Sequence, residues 1–154
     1  MTHAGTHADS GTSRLALQAT IHCLTGCGIG EVLGLGGATL LGLGNLPSIV
    51  LGIVLAYAFG YGLTLVPLLR ASMPFARASA VTLAAATLSI TTMELVDNAV
   101  VLAIPGAMDA SLGDVLFWGS LAVSLALAFV AAYPVNRWLI ARGLGHAVVH
   151  GGHS

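Results

Sequence analysis

The chain has 154 residues, of which 56% are hydrophobic and only 7% charged, and its mean hydropathy is +0.93. Five arginines, no lysine and six acidic residues cannot cover a soluble domain, where about a quarter of all residues are charged. The formal net charge of −1 offers nothing to nucleic acid, and two cysteines four residues apart are no secreted disulfide framework.

The twenty glycines lie within apolar runs, as they do in membrane helices that pack closely, so the lipid bilayer is the expected partner. Residues 1–14 read as a polar tail carrying His3 and His7 rather than as a cleavable signal peptide. A membrane-crossing helix needs about 20 mostly apolar residues. The first candidate runs over 15–43, interrupted by His22 and Glu31, and ends at a turn predicted at Gly44-Asn45-Leu46-Pro47-Ser48. The second, 49–69, is free of charge. After the connector from Arg70 to Arg77, with Pro74 inside it, the third runs over 78–104 and stops at Pro105-Gly106. A short loop with Asp109 and Asp114 leads into the fourth, 115–140, which Pro134 is expected to kink near its end. The remaining 141–154 form a Gly/His-rich tail with His146, His150 and His153.

Four spans place Arg14, Arg70, Arg77, Arg137 and Arg142 on one side and both loop aspartates on the other. The positive-inside rule makes the arginine side cytoplasmic. The expectation is an all-α, four-transmembrane-helix bundle in the cell inner (plasma) membrane with both termini cytoplasmic. A chain with four short spans leaves little room for a sealed pathway, which favours a homo-oligomer.

The polar residues inside these spans are the candidate site. Cys23, Cys27 and Glu31 recur every four residues and share one helix face, with His22 beside them. Gly26, Gly30 and Gly34 form a neighbouring stripe of small residues that lets another helix approach, so the polar stripe is expected to face protein. The third span supplies Thr87, Thr91, Glu94 and Asn98 as one polar face, flanked by Met93 and Asp97. Counting about 1.5 Å of rise per residue puts Glu31 and Glu94 at similar depths in the outer half of the membrane, with the cysteines nearer the cytoplasm. Tyr57, Tyr61 and Thr64 on the second span are in register to donate hydrogen bonds to the acids.

Three carboxyl groups without a basic partner are expensive in a bilayer, at about 2.5–3.5 kcal/mol each at a helix centre, and mark a functional site. The alternative is that neutral acids bridge helices by hydrogen bonds. The cysteines admit three readings: soft metal ligands, small buried packing residues, or a redox pair, although i, i+4 spacing suits disulfide torsions poorly. His22 with two thiolates, Met93 and the carboxylates is a set that selects Cu or Zn, and the tail histidines are further metal candidates. The leading expectation is therefore a membrane protein that binds and translocates a transition-metal cation through His22, Cys23, Cys27, Glu31, Met93, Glu94 and Asp97, with no catalytic residue. A membrane thiol-redox protein and a non-catalytic assembly partner mating through its glycines are the alternatives.

The run from Ile21 to Gly34, together with Met93–Asn98, Phe117-Trp118-Gly119-Ser120 and Pro134-Val135-Asn136-Arg137-Trp138, resembles the blocks of a bacterial membrane family known as domain of unknown function 4396. The resemblance covers about 18–150. It implies a small four-helix membrane protein and marks His22, Cys23, Cys27, Glu31, Glu94 and Asp97, but it brings no established activity.

Overall fold

The computed structural model describes residues 3–143, with side chains from residue 10 onward; the histidines of both tails fall outside the described side chains. Among the described residues the chain is all helical: α1 (His3–Leu41), α2 (Asn45–Arg70), α3 (Phe75–Ala103), a 3-10 turn (Ala107–Asp109) and α4 (Val115–Ala141). Each of the four helices is long and apolar enough to cross a membrane, the first over Ser10–Leu41. The helix therefore continues back through most of the stretch read as an N-terminal tail.

Turn chemistry explains the ends. Gly42, at φ +65°, closes α1 in a Schellman motif, with Gly42 N–H donating to Thr39 O (3.2 Å) and Leu43 N–H to Ala38 O (2.9 Å). The turn is thus Gly42–Gly44, two residues earlier than predicted. Pro47 sits in the first turn of α2, where its missing N–H would have had no helical acceptor. The same six-to-one bond closes α2, from Met73 N–H to Leu68 O (3.2 Å), but here a serine, Ser72, occupies the left-handed position at φ +63°. A side chain there is strained, so Ser72→Gly should stabilise the fold by about 0.5–1 kcal/mol, read as a rise in melting temperature. Before α4, the Asp114 carboxylate accepts from Ser111 N–H (2.7 Å) and Ser111 Oγ–H (2.9 Å), which holds its pKa below the usual aspartate value.

The helices follow one another around a four-cornered bundle. α1 packs on α2 and α4, α3 packs on α4 and α2, and α1 meets α3 across the bundle. Up-and-down connectivity gathers the α2–α3 connector with Arg70 and Arg77 and the end of α4 with Arg137 and Arg142 at one end; Asp109 and Asp114 lie at the other.

The distribution of side chains is the reverse of a soluble bundle. The buried positions are mostly small or polar: Ala16, Ala56, Ala86, Ala128 and Ala132, with Thr20, Ser89 and Ser124, are all fully buried. Large apolar side chains such as Leu95 and Val130, each 69% exposed, point outward. In water that exterior would drive aggregation. Against lipid it costs nothing, and small residues let the backbones pack closely.

The closest approach is α1 against α2. Gly26 faces Gly60, Gly30 faces Ala56 and Gly34 faces Gly52; a methyl added at Gly34 would stand 2.6 Å from the Gly52 Cα. The glycine stripe is thus occupied within the chain, by α2, and does not offer itself to another protein as the assembly reading required. Turning the glycines toward α2 aims the neighbouring stripe of Thr20, Cys23, Cys27 and Glu31 at α3 and α4.

Candidate functional site

The stripe on α1 meets polar partners at successive levels about one helical turn apart. Nearest the arginine end, Asn136 Nδ2 on α4 donates to Thr20 Oγ1 at 2.9 Å, and Thr20 donates to Ala16 O at 2.7 Å. One turn on, the Cys23 thiol and the Ser89 hydroxyl face each other, both fully buried. Then Cys27, 1% exposed, lies with its Sγ 3.9 Å from the Met93 Sδ, and the Glu94 carboxyl stands beside it. Above that, the Glu31 carboxyl contacts that of Asp97, whose Oδ1 accepts from the Ser124 hydroxyl on α4. Both cysteines are free thiols.

This order corrects the expected division into a thiol group and a separate carboxylate group. Glu94 is level with Cys27, and the partner of Glu31 is Asp97, three residues further along α3. The ladder is mixed: sulfur and carboxylate meet at its middle level.

Glu94 is 5% exposed and incompletely satisfied. Asn98 Nδ2 donates to the Glu94 backbone oxygen at 2.8 Å and reaches Oε2 only at 3.4 Å, while Oε1 has no hydrogen-bond partner. An orphaned buried oxygen is uncommon and calls for a reason.

Other expected residues lie elsewhere. His22 is exposed on the outer face of α1, where Nδ1 lies 3.0 Å from Gln18 O, so it does not join the cysteines. One residue along a helix is a rotation of about 100°, enough to carry His22 from the core to the exterior. Tyr57 and Tyr61 do not reach the acids. Their hydroxyls pair with Thr91 (2.5 Å) and Thr87 (2.6 Å), splitting the expected polar face of α3 into a half turned to α2 and a half turned to the ladder. Thr64, too, bonds its own helix, at Gly60 O (2.9 Å). Among the described residues, no three His, Cys, Asp or Glu side chains converge as a preformed metal cage.

Sequence reasoning missed the contribution of α4, which reads as a supporting span. Ser120, Ser124, Ala128, Ala132 and Asn136 recur every four residues and are all buried. That small and polar stripe is the signal that would have placed Ser124 and Asn136 at the site.

At the end away from the arginines, a cavity of about 300 Å³ opens between the α1–α2 turn and the 3-10 turn and descends to Glu31 and Asp97. Asn45, Ser48 and Asp109 stand on its wall nearest the loops, and Asn98 and Ser120 lie deeper.

No curated protein and no solved structure matches the chain. A family model, Domain of unknown function (DUF4396), matches residues 12–145. With that match running from before the ladder to beyond the end of α4, the chain belongs to the DUF4396 family.

Proposed function

We propose that this is a multi-pass inner-membrane protein that binds a soft transition-metal cation at Cys27, Met93 and Glu94 and passes it along the ladder, with the arginine end in the cytoplasm. The observation that carries this reading is the pair of buried sulfurs 3.9 Å apart. A metal ion about 2.3 Å from each sulfur would span that distance at an angle of roughly 115°, which suits trigonal or tetrahedral coordination. Thiolate and thioether together favour Cu(I), and a carboxylate beside them admits Zn(II). Cys23, one turn away and also fully buried, offers a second thiol on the cytoplasmic side.

Binding a metal requires Cys27 to lose its proton. Glu94, with Oε1 beside the thiol, is placed to receive it and hands it on before its carboxylate joins the sulfurs as a ligand. Glu31 and Asp97 then continue the path toward the cavity. Cation movement and proton movement would share the same groups, which gives the intramembrane carboxylates a role beyond bridging helices.

Metal content and competitive Cu(I) affinity of the purified protein test the proposal. Wild type should hold about one ion, and Cys27→Ser combined with Met93→Leu should weaken binding by about 100-fold or more, beyond the 10–100-fold typical of losing an outer-shell contact. His22→Ala should stay within about twofold, since that ring lies outside the core. Equal affinity in wild type and the double variant would rule the site out.

A further inference from the structure

The cavity above Glu31 and Asp97 does more than interrupt the packing. Its wall carries three carboxyl groups, from Glu31, Asp97 and Asp109, supplemented by the side chains of Asn45, Ser48 and Asn98, and among the described residues no arginine or histidine lines it. All five arginines lie outside it, so no local cation offsets these groups. At about 30 Å³ per water, the volume holds on the order of ten waters, enough for a metal ion with its first hydration shell.

Two further features extend the site toward the bundle centre. Asp97 lines the cavity while only 2% exposed, so a buried carboxyl group borders a space open at the loop end. Beneath the floor, outside the cavity lining, Glu94 keeps a buried oxygen without a hydrogen-bond partner. From the cavity to Cys27 the carboxyl groups of Glu31, Asp97 and Glu94 thus follow one another.

Building on the sulfur site proposed above, we infer that this cavity is a water-filled vestibule for a hydrated metal cation, with the Glu31–Asp97 pair as its floor and the step between vestibule and sulfur site. The walls are oxygen-rich, so the ion keeps most of its water there and exchanges it for sulfur only below the carboxyl pair. As the cation reaches the floor, oxygens of the Glu31–Asp97 pair take the place of part of its water shell.

Reactivity of introduced thiols toward charged methanethiosulfonate reagents tests this without relying on metal binding. In a Cys23→Ser, Cys27→Ser background, Ser120→Cys places a thiol at a buried wall position (5% exposed) that reagent reaches only through the cavity. It should react with the cationic reagent at least ~10-fold faster than with the anionic one, as expected of a site whose field concentrates cations. Asp109→Asn should reduce that ratio by about threefold. Val123→Cys, on the outer face of α4, should react with neither. If Ser120→Cys does not fold, Ser48→Cys carries the same comparison nearer the mouth. Absence of reaction at a folded vestibule thiol overturns the water-filled cavity, and equal rates for both charges overturn its preference for cations. Because the background lacks both thiols, a positive result here stands even if Cys27 proves to bind no metal, and the reverse holds as well.

Discussion

Gly30→Ala should deplete folded protein in the membrane, whereas Gly28→Ala, two residues away, should leave it unchanged. A methyl group on Gly30 would land on the backbone nitrogen and Cα of Ala56, atoms that no rotamer change can move aside. Relief requires α1 and α2 to separate, and separation also loosens Gly26 from Gly60 and Gly34 from Gly52. Overpacking a well-packed contact costs about 1–3 kcal/mol, and a backbone clash belongs at or above the top of that range. Total stability is only about 5–15 kcal/mol, so the loss is a large share of it. At about 2–4 °C per kcal/mol for a chain of this size, the melting temperature should fall by roughly 10 °C. A methyl on Gly28 meets only Leu125 Cδ1 at 3.5 Å, an ordinary contact, and Gly52→Ala meets nothing within 4 Å. Size-exclusion profiles and thermal melts of the three variants measure the contrast. An unaltered melt for Gly30→Ala would mean that α1 and α2 do not touch there.

The same contact shows why some of this fold is legible in the chain and some is not. Span limits come from local properties, namely hydropathy and the punctuation of Gly42, Pro47, Pro74 and Gly106, and the observed helices begin and end within about five residues of the predicted spans except at the start of α1. A small-residue stripe at four-residue spacing is also local, and it correctly announces a close helix partner. The register of one helix against another is not local. Glu31 looks level with Glu94 when depth is counted from the start of each span, but a three-residue offset amounts to about 4.5 Å and selects Asp97 instead. The identity of each polar partner likewise depends on the azimuth of a second helix. Tyr57 and Tyr61 have the spacing to serve the acids, yet the face of α3 presented to them carries Thr87 and Thr91. His22 is the clearest case: it is adjacent to Cys23 in sequence, and the helix turns it out of the core.

Glu94→Leu should raise stability while weakening metal binding about 100-fold. A buried carboxyl with an unpartnered oxygen carries a desolvation cost of about 1–3 kcal/mol that a leucine, which has no ligand atom, would not. The substitution gives up the approach of the Cys27 thiol to the Glu94 carboxyl and little else. Asn98 keeps its 2.8 Å bond to the backbone oxygen and loses only the 3.4 Å approach to Oε2, and Cys27 keeps Met93. The melting temperature should therefore rise by several degrees, in line with about 1–3 kcal/mol and the scaling used above. Metal affinity should fall by about 100-fold at the same time, because Cys27 loses both a neighbouring ligand and the group that takes its proton. Asp97→Leu is the contrasting control: it strands Glu31 and removes the acceptor of Ser124, so it should melt lower than wild type. The two readings of the intramembrane acids diverge at this position. If Glu94 were a structural bridge between helices, its removal would cost stability, and a lower melting temperature for Glu94→Leu would establish that role. A variant that is more stable and inactive identifies a residue kept at the expense of the fold, as expected where a site holds its ligand with groups the protein leaves unsatisfied.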